Sequence, residues 1–206
     1  FFLNINESGI PFELLKEINL HSLIPFTYGG NISSFNDVEK IISLGVEKIS
    51  ISTNLYDFDL INKISKNFGS QSIIGCIDIK KIDKDYFTTT NKGKIISSKF
   101  SWDLIKQLED VGVGEILFNL IDKEGTLEGY DEIFVNEYIK YSSLPLIYSG
   151  GISSQSQIDD LINLHNLSVG VGAFFVLYGR RRSVLIQYLD KDEKNLIKNK
   201  YLETNV

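Results

Sequence analysis

The stretch "PFTYGGNISS", Pro25 to Ser34, returns as "PLIYSGGISS", Pro145 to Ser154, at a constant offset of 120 positions. The correspondence continues into the following helix-like pattern, where Val38 answers Ile158, Ile41 answers Leu161, Ile42 answers Ile162 and Leu44 answers Leu164. It reaches the next strand end, where Ser52 and Thr53 answer Gly172 and Ala173. Around this repeat, apolar β-rich runs near residues 1–5, 24–29, 47–52, 72–79, 114–121, 144–149 and 168–173 alternate with helical periodicity. The helical stretches lie near 10–20, 34–44, 57–67, 101–111, 130–141 and 155–164, with Ser33, Ser34, Ser101, Ser153 and Ser154 where N-caps belong. Such alternation specifies a parallel sheet with helices outside it. A doubly wound open sheet has no reason for a two-fold, whereas two halves of four βα units make a (β/α)8 TIM barrel. A single barrel domain over residues 1–206 is therefore expected.

The strand count leaves a gap, since the half from 72–79 onward supplies four strands and the other half three. The chain contains no methionine and opens mid-pattern on "FFLNI". Residue 1 is thus expected not to be the natural start, and the first barrel strand to lie upstream. The polar 83–100 stretch reads as one extended loop that could carry a hairpin, and a long loop at this end of a barrel strand is usually functional.

Barrel chemistry sits at the C-terminal strand ends. Four small-residue turns fall there: Gly29–Gly30–Asn31, Ser52–Thr53, Gly150–Gly151 and Gly172–Ala173. Glycines let backbone N–H groups approach an anion, and a helix start adds the positive end of its dipole. Two such pairs on one mouth suit a substrate with a phosphate at each end; ordinary turn glycines are the alternative. Where the second copy has Gly151 the first has Asn31, which adds a Cβ and an amide, and Asn tolerates a left-handed backbone better than most residues. Asp78 ends the apolar strand "SIIGCID", where a general acid or base belongs, with turn capping as the alternative. "IDKEGT" adds Asp122, Glu124 and Gly125, suited equally to substrate contact or loop hydration. Lys48 and Glu115 start strands and so face the opposite mouth, where an ion pair is the plain expectation.

Other features exclude functions. The net charge of −6 argues against nucleic acid or an anionic membrane as the main partner, and Arg180–Arg182 reads as a solvated helix start leading into a polar helical tail, with a phosphate-binding patch as the alternative. One cysteine, Cys76, cannot build a disulfide frame or a cysteine metal cluster. His21 and His165 fall in helix–strand connections away from the mouth, and Trp102 is expected to pack a helix on the barrel. No signal peptide or long apolar run is visible, so the cytoplasm is the default location.

The segments "FGSQSIIGCIDIKK", "GVGEILFNLIDKEGTLEGYD" and "LPLIYSGGISS" together resemble the cyclase subunit of imidazole glycerol phosphate synthase. "GAFFVLYGRRRSVLIQY" is closer to a paralogous branch that accompanies an amidotransferase in making amidino sugars for bacterial surface polysaccharides. The resemblance implies a glutaminase partner docked at the barrel bottom as a heterodimer, ammonia passing through the barrel, and a bis-phosphorylated ribulosyl aminoimidazole carboxamide substrate. It implies neither metal nor organic cofactor. Asp78 matches the second of the family's two catalytic aspartates, the first lying upstream of this chain, and Lys48 and Glu115 match two of four charged residues at the ammonia entrance. The departures fall on the functional face. Asn31 replaces a glycine, Ser52 an asparagine, Glu124 and Asn4 aspartates, Asn119 and Leu120 small hydroxyl residues, and Ala173 a serine. The implied reaction is the lyase/cyclase step of histidine biosynthesis. The paralogous sugar-amidation role and a non-catalytic docking subunit remain alternatives.

Overall fold

A computed structural model describes residues 2–3, 9–139, 142–178 and 183–184. The strands are β1 (Phe2–Leu3), β2 (Thr27–Gly29), β3 (Lys48–Ile51), β4 (Ile73–Ile82), β5 (Asp85–Thr90), β6 (Ile95–Lys99), β7 (Glu115–Leu120), β8 (Leu146–Ser149), β9 (Ser168–Gly170), β10 (Leu177–Tyr178) and β11 (Ser183–Val184). The helices are α1 (Phe12–His21), α2 (Phe35–Ser43), α3 (Phe58–Phe68), α4 (Trp102–Asp110), α5 (Glu132–Tyr138), α6 (Gln155–Asn163) and the short α7 (Ala173–Val176). Seven strands pair in parallel in the order β1-β2-β3-β4-β7-β8-β9. Six helices alternate with them in chain order. This is the (β/α)8 barrel architecture that the repeat predicts.

Differences from the sequence expectation are local. The 83–100 segment is a β5–β6 hairpin that extends β4 antiparallel, Asp78 pairing with Thr89 and Ile82 with Asp85. The expected strand over 168–173 stops at Gly170, and Ala173 already begins α7. Arg180–Arg182, Asn4 and the polar tail lie outside the described residues.

The central strands β3, β4, β7 and β8 bury residues on both faces, as parallel strands covered by helices do. Ile49, Ile51, Ile73, Ile77, Ile79, Ile116, Phe118 and Tyr148 face the helices and join one large core. Ile74, Cys76, Leu117 and Ile147 form a second cluster on the inner face. The period of two that separates these sets sends every other strand residue into the barrel.

The two-fold survives in three dimensions. Tyr28 and Tyr148 are both fully buried, as are Val38, Ile41 and Leu161. Ser34 and Ser154 cap α2 and α6 alike, each hydroxyl accepting from the backbone N–H three residues on, at Asp37 and Gln157. Asp37 completes a capping box by accepting from the Ser33 and Ser34 N–H groups. Burial works against it, but these bonds hold its carboxyl below the usual range.

The hairpin is fastened to the barrel by one buried carboxylate. Asp131, the N-cap of α5, accepts from Phe134 N (2.9 Å), Tyr86 OH (2.8 Å) and Lys81 Nζ (3.3 Å). Tyr86 stacks edge-on with Phe134 and Tyr138, their centroids 5.0 and 4.8 Å away. Burial opposes ionisation of Asp131, yet these donors keep its pKa below the ordinary 3.8. Asp131→Ala is expected to cost about 2–4 kcal/mol in urea unfolding at pH 7, because the buried Tyr86 hydroxyl and Phe134 N–H lose their acceptor, while Lys81 can turn to water. A folded pKa below the unfolded one means that acid protonates the unfolded chain first. The advantage over Asp131→Asn should therefore be complete above about pH 5 and fade as pH falls through the lowered folded-state value.

Candidate active site at the C-terminal ends of the strands

Strand register stacks the inner face into layers. Asp78 lies beside Asn119, Asn119 beside Ser149 and Ser149 beside Gly170. One layer down, Cys76 neighbours Leu117 and Leu117 neighbours Ile147. At the N-terminal ends, Lys48 pairs with Glu115 as a hydrogen-bonded ion pair. The barrel axis thus runs from a charged floor through an apolar waist to a polar rim.

Asp78 is half-buried on the rim and held from both sides. Ser52 Oγ donates to its Oδ2 at 2.8 Å, and Asn119 Nδ2 donates to its Oδ1 at 2.9 Å. Thr89 of the hairpin fixes the backbone by donating to the Asp78 carbonyl at 3.2 Å. Cys76 sits below, with Sγ 3.9 Å from Oδ1. Burial first, then the Asp78 charge, push its thiol well above the ordinary value, so it stays protonated.

Beside this layer opens a cavity of about 700 Å³. It brings together Glu124, Gly125, Gly150, Gly151, Gly172 and Ala173, six residues singled out from the sequence. The glycines are not equivalent. Gly150 (φ +124°) and Gly151 (φ +81°) sit against backbone: an added Cβ would lie 2.7 Å from Leu120 O and 2.3 Å from Gly129 O. The fold itself requires glycine at both. Gly172 has an ordinary φ of −115°, and a Cβ there would meet nothing within 4 Å among the described residues.

The first-half turn keeps its shape. Gly30 has φ +116° and Asn31 φ +57°, matching Gly150 and Gly151, so Asn31 occupies the left-handed region that the repeat demands. Asn54 Nδ2 donates to Ile32 O at 2.7 Å and ties this turn to the end of β3. Gly30, Asn31, Ser52 and Thr53 do not line the 700 Å³ cavity; Thr53 is exposed, and the Ser52 hydroxyl is engaged with Asp78. Asp122 does not line this cavity; its carboxylate accepts from Lys81 N at 2.8 Å.

Sequence reasoning marked Asn119 as a departure without giving it a task. Its signal was the register: on a strand neighbouring β4, the residue level with Asp78 points the same way. His21 ends α1 and His165 lies between α6 and β9, both at the N-terminal side of the strands. Trp102 begins α4 and packs edge-on against Phe100, centroids 6.2 Å apart. Among the described residues, no group of three His, Cys, Asp or Glu is placed to hold a metal, and no helix is long and apolar enough to cross a membrane.

A second cavity, of about 240 Å³, opens at the floor and is lined by Pro25, Phe26, Thr27, Glu47, Lys48, Ile74, Glu115 and Ile147. The two strand-start charges therefore face a space of their own at the opposite end from Asp78.

The sequence profile of the histidine biosynthesis protein family matches residues 4–180. The chain belongs to that family. Within it, 184 residues are 38% identical to a Pseudomonas aeruginosa protein provisionally named imidazole glycerol phosphate synthase subunit hisF2, covering 87% of this chain and 72% of that one. Imidazole glycerol phosphate synthase subunit HisF of Parabacteroides distasonis is 34% identical over 183 residues, 88% of this chain and 72% of its own length. The Sulfolobus acidocaldarius protein of the same name is 39% identical over 153 residues, 73% of this chain and 61% of its length. The family's barrel and the parallel strand order described above agree.

Proposed function

We propose that this chain carries the cyclase chemistry of imidazole glycerol phosphate synthase, joining ammonia to a bis-phosphorylated ribulosyl aminoimidazole carboxamide. The supporting observation is the axial arrangement. One carboxylate, Asp78, is fixed at the rim beside a glycine-lined cavity, while the Lys48–Glu115 pair borders a separate space at the floor. Phosphate at one end of the substrate would be held by backbone N–H groups around Gly151 and Gly172. The other phosphate would meet the Gly30–Asn31 turn, whose added amide narrows the approach. Asp78 would shuttle the proton that ring closure and cleavage require, with its two donors keeping it aimed at the mouth. Ammonia from a glutaminase docked at the floor would pass Lys48 and Glu115 and cross the apolar layer of Ile74, Cys76, Leu117 and Ile147. That layer offers no carboxylate to trap it as ammonium.

A second reading has its own support. The P. aeruginosa relative and a Vibrio vulnificus relative, 32% identical over 185 residues, carry the paralogue names hisF2 and hisF3. These names mark a paralogue group of the same synthase subunit; with Asn31 in the first turn, the second reading is a paralogue supporting amidotransferase-dependent amidation of surface-polysaccharide sugars.

The test is turnover by the full-length natural protein, supplied with ammonium salt and the ribulosyl aminoimidazole substrate. Formation of imidazole glycerol phosphate that depends on Asp78 supports the first reading. No turnover, or turnover undiminished in Asp78→Asn, overturns it. Replacing ammonium by glutamine plus a glutaminase tests the partner.

Gly172 separates ligand binding from folding. Gly172→Ala should leave the urea midpoint within the equivalent of about 0.5 kcal/mol. It should raise KM for the bis-phosphorylated substrate about three- to tenfold, since one methyl group blocks one anion contact. An unchanged KM would remove Gly172 from the phosphate grip.

A further inference from the structure

The rim carboxylate is served by two neighbouring strands at once. Ser52 follows β3, Asp78 is on β4 and Asn119 is on β7, and these three strands are consecutive in the sheet. Oδ2 of Asp78 takes the hydroxyl at 2.8 Å, and Oδ1 takes the amide at 2.9 Å with the Cys76 thiol as a weak third donor from below at 3.9 Å. An ionised carboxylate only accepts, so the Asn119 amide must present nitrogen, not oxygen, to it. A carboxylate with a single donor pivots about that bond; with one donor per oxygen, from opposite sides, its plane is fixed. With two strong donors and the weak thiol contact in place, about one of its four lone-pair sites stays open for a substrate proton. The Ser52 hydroxyl is committed to this task rather than to an anion at the first-half turn.

We propose that Ser52 and Asn119 are positioning residues that act through Asp78 as a pair, setting the carboxylate plane and so the rate of proton transfer rather than substrate affinity. This rests on the catalytic reading of Asp78 given above.

The test uses the full-length natural protein with ammonium salt. Ser52→Ala and Asn119→Leu, the latter nearly isosteric but without a donor, should each lower kcat about tenfold and leave KM within about twofold. Ser52→Thr, which keeps the hydroxyl, should stay within about threefold of the native rate. The Ser52→Ala/Asn119→Leu double variant should lose clearly less than the product of the two single losses, because the second donor positions little once the first is gone. A rise in KM at constant kcat, fully multiplicative losses, or a Ser52→Thr protein as slow as Ser52→Ala would overturn the proposal. A separate arm needs no turnover: the Asn119 side-chain amide resonances should move on Asp78→Asn and again on Ser52→Ala. If they are indifferent to Asp78→Asn, the pairing is wrong whatever the activity. If the native protein turns nothing over but those resonances respond, the cyclase reading falls and the geometric pairing stands.

Discussion

Asp78→Asn is expected to lower turnover of the ribulosyl aminoimidazole substrate by about 10²–10⁴-fold, the usual worth of a placed general acid or base. The substitution keeps the side-chain shape and the inward position on β4. It removes the group that can exchange a proton. It also sets an amide where a carboxylate had accepted from Ser52 and Asn119, so one of those donors must lose its acceptor or turn away. The loss should appear in kcat, because the glycine-lined cavity that would grip phosphate does not include Asp78. Steady-state kinetics at saturating ammonium decide the matter. A change of less than about tenfold would mean that the carboxylate is structural and that the proton moves elsewhere.

The second large effect is on the scaffold of the cavity. Gly151→Ala is expected to destabilise the protein by about 2–4 kcal/mol. Part of this is backbone strain, since φ is +81° and an L side chain there costs roughly 1–2 kcal/mol. The remainder is collision. The new Cβ would lie 2.3 Å from Gly129 O and 3.2 Å from Lys123 Cβ, and backbone cannot yield as a flexible side chain does. Relief would pull apart the loops after β7 and β8, which are joined by the 2.8 Å bond from Gly129 N to Gly151 O. Urea unfolding should show the lowered midpoint, and the same variant should lose affinity for the phosphorylated substrate. A midpoint shift worth less than about 0.5 kcal/mol would show that these loops are not braced against each other. Gly172→Ala is the matched comparison, since it lines the same cavity without either constraint.

These glycines show where sequence reasoning stops. "YSGG" and its echo "YGGN" are visible in the chain, and an anion cradle is a fair physical reading of them. Only the folded chain reveals that Gly150 and Gly151 are demanded by Leu120 and Gly129, residues that lie 22 or more positions away in the chain. Close backbone approach between distant loops leaves no mark in local composition. Gly172 is the reverse case: among the described residues nothing asks for a glycine there, which strengthens its claim as a ligand contact.

Ser52 tells the same story for a side chain. From its place at a strand end it read as a substrate contact. Its hydroxyl is in fact taken by Asp78, 26 positions further on. Asn31, by contrast, behaved as its chemistry predicts, holding φ at +57° where the repeat places a glycine.

The sequence by itself determined the barrel. Hydrophobic periods of two and 3.6, and a repeat at a constant offset, are local or translational properties, and they specify strands, helices, caps and the two-fold without reference to distant partners. It also placed Asp78, Lys48 and Glu115 at opposite ends, because a residue's position along a strand sets its height in a parallel barrel. Tertiary structure decided who touches whom. The Lys48–Glu115 pairing, the two donors on Asp78, the Asp131 clamp on the hairpin and the glycine–carbonyl contacts all join segments separated by 22 to 67 residues. Such partners are fixed by strand register and loop closure, which arise only when the sheet assembles.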